Sequence, residues 1–221
     1  MKEKTTPLQK ALNLWAIILI VWAFYRSYLK LPIWFDELIA KPLIFVAPVF
    51  YFIKKIDKKK IRDYFYLKFK TKEVLEDVLY SMGLGIVLVL TAIAASYYKN
   101  GKLIFFGKFP DLPSVFWIII LGLATGITEE ILSRGFVLRK LYDESKNALS
   151  STFFSSILFF FLHVPILFNN PKVNGNMLLV FMVTDLLLSM LNGLIFIQRK
   201  SLLVPIMIHA FYNIVLSLTL I

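Results

Sequence analysis

Glu129, His163 and His209 each stand inside a long apolar run, where an ionisable side chain is least expected. A charged group at the centre of a membrane span costs about 2.5–3.5 kcal/mol on insertion scales, so such groups tend to be paired, cavity-facing and functional. Adjacent helical residues diverge by about 100°, so Glu129 and its neighbour Glu130 cannot point the same way. Glu130 and Arg134 are one helical turn apart in acid-before-base order, which predicts a structural ion pair. Glu129 is left on another face, with Thr125 and Ser133 one turn to either side. A carboxylate without a partner in a desolvated site is suited to act as a general base near neutrality. His163 follows the aromatic run Phe159, Phe160, Phe161 and Leu162, where a lone histidine is as often a packed residue as a working one. His209 shifts the balance, because it shares a helical face with Asn213 and because the chain's only two histidines both lie in spans. Asp185, with Ser189 and Asn192 at helical spacing, reads as a buried polar seam between helices, with support of the site as the alternative.

The elements that must position these groups are membrane spans. Of 221 residues, 58% are hydrophobic and 16% aromatic, which moves the prior to an integral membrane protein. A span needs roughly 20 mostly apolar residues. The candidates are Ala11–Leu29, Leu38–Ile53, Val74–Tyr98, Leu112–Lys140, Leu149–Phe168, Met177–Gln198 and Ser201–Ile221. The second is the weakest, being short and interrupted by Lys41, Pro42 and Pro48. The first has no small-residue cleavage site after it and is read as a retained span. The expected fold is all-α, a polytopic transmembrane bundle of about seven spans with an intramembrane polar cavity formed by the last four. Polar clusters fill those four and are almost absent from the first three, which locates the chemistry.

With the N-terminus inside, the cytoplasmic segments collect most of the 25 Lys and Arg residues, including the run Lys54–Lys72. Only Arg26, Lys30, Lys41, Lys99, Lys102, Lys108 and Lys172 fall on the other side, the bias expected of a multi-pass protein with a cytoplasmic N-terminus. In a prokaryote that places it in the cell membrane. The net charge of +11 is then explained by loops facing anionic lipid, with no nucleic-acid partner. Ile61–Lys70 suits a stretch lying on the cytoplasmic interface. Cysteine is absent, which excludes a thiol nucleophile, disulfides and thiolate metal ligands. Residues 1–221 read as one membrane domain, 1–110 holding the N-terminal spans and basic loop and 111–221 the motif-bearing core. By helical rise, Glu129 lies about 16 Å from Lys140, His163 about 24 Å from Asn147 and His209 about 13 Å from Lys200, depths that permit one shared site.

In chain order, Glu-Glu-x-x-x-Arg at Glu129, Glu130 and Arg134, Phe-x-x-x-His at Phe159 and His163, and His-x-x-x-Asn at His209 and Asn213 fall on successive spans. Together they resemble the signature of the CAAX protease and bacteriocin-processing (Abi) family, which includes type II CAAX prenyl endopeptidases. The resemblance covers about Leu112 to Ile221. It implies a helical intramembrane protease with a conical cavity, in which Glu129 and His163 activate water, His209 and Asn213 hold the oxyanion, and Glu130 and Arg134 support them. The partners implied are the lipid bilayer and a peptide or membrane protein, prenylated or carrying a leader. A zinc ion held by Glu129, His163 and His209 is the alternative to this cofactor-free reading. The His-Glu-x-x-His helix of zinc proteases is absent, as is a pair of intramembrane aspartates, and neither Ser133 nor Ser156 has a nucleophile-like context. The competing function is a catalytically silent bacteriocin-immunity or regulatory protein, which the family also contains. A transporter using the same polar groups would be expected to show an inverted repeat, which the sequence lacks.

Overall fold

The computed structural model describes residues 5–67, 70–100, 110–168 and 175–219, and every regular element among them is helical. Lys2, Lys4, Lys68, Lys102, Lys108 and Lys172 of the charge pattern, and the last two residues of the seventh run, lie outside the described residues. Helix α1 is Pro7–Tyr28 and α2 is the unbroken helical run 33–56. The short α3 is Ile61–Tyr64, and α4 is Thr71–Asn100. Helix α5 starts as Leu112–Glu130 and continues through the π-helical Ile131–Leu138 into Arg139–Ser145. Ala148–Phe168, Gly175–Arg199 and Leu203–Thr219 are α6, α7 and α8.

Local sequence sets the starts. The Thr6 hydroxyl caps α1 by accepting from the Gln9 N–H at 3.1 Å, with Pro7 in the first turn where its missing donor costs nothing. Asp111 caps α5 in the same way, accepting from the Ser114 N–H at 3.0 Å. On α1, Ala11, Trp15, Ile18 and Trp22 repeat at helical spacing and turn inward, while Ile17 and Phe24 face out. An apolar face left outside is what a helix in lipid requires.

Five of the seven expected spans are helices long and apolar enough to cross a membrane among the described residues. The remaining two are helical as well. Leu203–Leu218 is a shorter apolar helix. The run 33–56 includes π-helical turns at Asp36–Ala40, Pro42–Val46 and Phe52–Ile56, and Pro42 opens the second of them. Wider turns of this kind accommodate a proline inside a helix, where the ring would otherwise strike the preceding turn.

One correction concerns the first three spans, which are not free of buried charge. Asp36 and Lys41 on α2 and Asp77 on α4 are all buried. Asp36 pairs with Arg26, and Asp77 accepts from Arg199 of α7 at 2.8 Å. A second concerns two aromatics of Ile61–Lys70, a stretch of which residues 68 and 69 lie outside the described residues. Tyr64 and Phe65 are buried, Phe65 against Gly135 of α5, with the Arg139 guanidinium 4.5 Å above the Tyr64 ring. Flat aromatic faces beside cations gain more by packing inward than by lying on lipid.

Helices α5 and α8 approach closely because Gly122 and Gly126 stand one turn apart on the facing side. A Cβ on Gly126 would come within 2.8 Å of the Ile206 carbonyl oxygen, which is backbone and cannot move aside. Gly126→Ala is therefore expected to lower the thermal midpoint and the detergent-extracted yield, a cost of about 1–3 kcal/mol by overpacking. Gly83→Ala, where a Cβ meets nothing within 4 Å, is the control and should leave both unchanged.

Candidate active site

Glu130 is the joint of the site. It is fully buried, its Oε1 accepts from His209 Nδ1 at 2.8 Å and Asn192 Nδ2 at 3.3 Å, and the same oxygen is ion-paired with Arg134 Nη1 at 3.0 Å. The expected Glu130–Arg134 pair is present, and it also ties α5 to α7 and α8. Asn192 donates as well to the Pro205 carbonyl at 3.4 Å, fixing the start of α8. Arg134 lies over the Phe159 ring, its guanidinium carbon 4.5 Å from the centroid, and donates to Ser133 Oγ at 2.8 Å. Phe159 in turn sets its ring against both imidazoles, 4.8 Å from His163 and 5.8 Å from His209 between centroids. The aromatic position of the Phe-x-x-x-His pattern thus packs against the structural cation and both histidines.

Glu129 lies on the neighbouring face, as the 100° step requires. Its Oε2 faces His163 Nε2 at 3.5 Å and His209 Nε2 at 3.7 Å. Both separations exceed the roughly 3.2 Å of a good hydrogen bond, and this buried oxygen has no hydrogen-bond partner among the described residues. Thr125, Glu129, His163, Asp185, His209, Tyr212, Asn213 and Leu216 line one cavity of about 130 Å³. An orphaned buried acceptor bordering polar space is where an ordered water is expected. Four residues read from the sequence, Glu129, His163, His209 and Asn213, are therefore brought together, and Glu130 and Arg134 lie directly behind them.

Two features differ from the sequence reading. Glu129 is not unpaired: its Oε1 accepts from Lys41 Nζ at 2.7 Å, and Lys41 donates equally to both oxygens of Glu37. The Thr125 hydroxyl donates to Glu37 Oε2 at 2.7 Å, so α2 and α5 share a chain of four polar side chains, of which Lys41 and Glu129 are buried and Glu37 and Thr125 half-buried. Ser133, one turn beyond Glu129 as its spacing requires, donates its hydroxyl to the Glu129 carbonyl. Asp185 is not confined to an interhelical seam; it borders the cavity, with Oδ2 3.6 Å from His163 Nδ1. The signal for Lys41 was present as an i,i+4 Glu37–Lys41 pair inside an apolar run. Helical spacing also put Asp185 on one face with Asn192, without saying which neighbour that face meets.

No group of three or more His, Cys, Asp or Glu side chains among the described residues has the arrangement of a metal site. The Lys41 ammonium on Glu129 would oppose a divalent ion placed between the carboxylate and the histidines.

Residues 111–215 match the family model described as Type II CAAX prenyl endopeptidase Rce1-like. No curated protein and no solved structure matches the chain. The match supports a CAAX-type intramembrane protease at the level of the family. With the long apolar helices it supports an integral membrane protein.

Proposed function

From a chain whose residues 111–215 form a Rce1-like domain, we propose an endopeptidase that hydrolyses a peptide bond of a membrane-associated polypeptide through a water activated by Glu129. The observation that carries this is the free Glu129 Oε2, facing two imidazoles across a polar cavity. A water held there loses a proton to Oε2 as its oxygen attacks the scissile carbonyl carbon. The developing oxyanion accepts from the Asn213 amide and from Nε2–H of an imidazolium His209, whose other proton, on Nδ1, is held by Glu130; both side chains line the cavity from one face of α8. Preorganised donors of this kind contribute about 3–4 kcal/mol each in other hydrolases. His163 shares the transferred proton and delivers it to the leaving nitrogen as the C–N bond breaks, giving a carboxylic acid and an amine, between which the remaining proton then moves to leave a carboxylate and an ammonium. The Phe159 carbonyl, accepting from His163 Nδ1 at 3.3 Å, orients that ring, with the Asp185 carboxylate 3.6 Å from the same nitrogen. No metal takes part in this scheme, since the Lys41 ammonium already supplies the positive charge at Glu129.

The test compares membranes of cells lacking their own copy, supplied with wild type or with His163→Ala, by mass spectrometry of small membrane peptides. A fragment made by wild type, absent with His163→Ala and still formed after exhaustive chelation is the expected result. If His163→Ala confers the same phenotype and the same peptides, the chain acts by binding, as an immunity or regulatory protein would. Loss of the fragment on chelation alone would return zinc to the site.

A further inference from the structure

Two cavities away from Glu129 meet at Tyr66 and Lys200, which line both. The inner one, about 150 Å³, is lined further by Arg139 and Tyr142 of α5 and by Phe196 and Ile197 of α7. The outer one, about 590 Å³, takes its cations from Arg62, Lys70 and Lys200 and its acids from Asp63 and Glu73. Its walls are α3 with the turn after it, the start of α4 and the turn from α7 to α8. Helices α4, α7 and α8 are apolar runs that end or begin there. The joined cleft therefore lies at the boundary between lipid and water, whichever face of the membrane that end occupies.

The cations of the cleft are unequally satisfied. Lys70 stands 3.7 Å from Glu73 in an exposed pair. Arg139 lays its guanidinium over the Tyr64 and Tyr66 rings, 4.5 and 4.2 Å from their centroids, and Nη1 reaches the Asp63 carbonyl at 3.4 Å. Its Nε is buried without a hydrogen-bond partner among the described residues, and the Asp143 carboxylate, at 3.9 Å, is beyond hydrogen-bond reach. The Lys200 side chain has no ion pair or hydrogen bond among the described residues. Tyr66 and Lys200, the two residues at the junction, both have left-handed backbones, with φ of 51° and 47°. Lys200 occupies that conformation at the end of α7, where glycine is the usual residue. A lysine there keeps a cation at the junction at a conformational cost. Arg62, Lys70, Arg139 and Lys200 outnumber Asp63, Glu73 and Asp143, and the surplus positive charge stands where the two cavities meet.

We propose that this cleft binds an anionic phospholipid. Its phosphate lies between Lys200 and Arg139, its glycerol carbons lie against Phe196 and Ile197, and Asp63 and Glu73 accept from headgroup hydroxyls. Basic pockets at the ends of membrane helices recognise lipid phosphate in this way. A free phosphate would leave the aromatic inner walls uncovered, and a zwitterionic lipid would bring its own ammonium against the surplus positive charge. The bound lipid ties the end of α5 to the turn before α8, the two helices that carry Glu129 and His209. A ligand held by the folded state alone raises stability, so occupancy can be read without turnover. The site stands whether or not the Glu129 cavity is proteolytic.

The test uses the full chain, purified in a neutral detergent and stripped of lipid. Phosphatidylglycerol, phosphatidylcholine and inorganic phosphate are titrated in turn, with the thermal midpoint and the lipid retained in native mass spectrometry as readouts. Expected is a raised midpoint and a retained lipid with phosphatidylglycerol, and neither with the other two. Lys200→Gly removes the cation and relieves the backbone, so its lipid-free midpoint should at least match that of wild type. Its affinity for phosphatidylglycerol should fall about fivefold, the loss expected for one lysine beside a charged lipid, and Lys200→Gln should lose the same. Lys10→Gln, which removes an exposed charge outside the cleft, should bind as wild type does. An equal response to phosphatidylcholine or to phosphate alone would overturn the anionic-lipid assignment. Unchanged affinity in both Lys200 variants would overturn the site. A loss in Lys10→Gln as large as in Lys200→Gly would replace it with diffuse surface charge.

Discussion

Glu129→Gln will yield a folded protein whose kcat on the cleaved peptide is lower by about a thousandfold, within the range general-base catalysis supplies. Glutamine has the shape of the carboxylate, so its carbonyl oxygen can still accept from Lys41, whose other partner, Glu37, is untouched. The amide nitrogen then stands where Oε2 stood and cannot take a proton from water. The neighbouring substitution behaves differently. Glu130→Gln removes the charge on which Arg134, His209 and Asn192 converge in a fully buried setting. Leaving a buried guanidinium without its counter-ion costs about 3–5 kcal/mol. Its expected signature is a lower melting temperature and extraction yield together with lost activity. The measurement is kcat per folded molecule, with size-exclusion profile and thermal midpoint for both variants. More than a tenth of wild-type kcat in Glu129→Gln would remove Glu129 from the chemistry. A melting temperature for Glu130→Gln equal to wild type would show that the buried pair contributes little to the fold.

That contrast between adjacent glutamates was legible from sequence, because it depends only on helical geometry and on Arg134 lying one turn beyond Glu130. The apolar runs likewise predicted a helical bundle, and the depths of the two histidines, about 24 Å and about 13 Å by helical rise, permitted one shared site once helix tilt is allowed. What spacing could not give was the partner of each buried face. Lys41 and its neighbouring prolines read as interruptions of a poor span, yet the run stays helical and brings the ammonium to Glu129 through an interhelical contact 88 residues away in sequence. Asp185 had a face but no visible neighbour until α7 was packed beside α6. Tyr64 and Phe65 were assigned to the membrane surface on composition alone, since nothing local says that Gly135 opens a place for a ring. In each case the missing information was long-range, and in the case of Lys41 it lay outside the segment that matches the family.

Lys41→Met is the substitution that separates this chain's own contribution from that of the matched domain. Lys41 is nine-tenths or more buried, with Nζ 2.7 Å from both oxygens of Glu37 and from Glu129 Oε1. Holding Oε1 leaves Oε2 aimed at the histidines, so Lys41 is a positioning residue that also supplies the counter-charge. Methionine keeps most of the volume and none of the charge, which leaves two carboxylates facing each other in a desolvated pocket. Removing one member of such a group costs about 3–5 kcal/mol of stability. Misplacing a catalytic group by about 1 Å costs roughly a hundredfold in rate. The single variant should therefore lose both melting temperature and kcat. Adding Glu37→Gln relieves the repulsion, so the double variant should recover stability while kcat stays low and KM moves less than threefold. Lys41→Arg, which restores charge with a different donor geometry, should recover part of kcat. If kcat per folded molecule rises with stability in the double variant, Lys41 serves the fold alone and Glu129 needs no help from α2. If stability returns and kcat does not, the working carboxylate is aimed by a helix that lies before the matched segment begins.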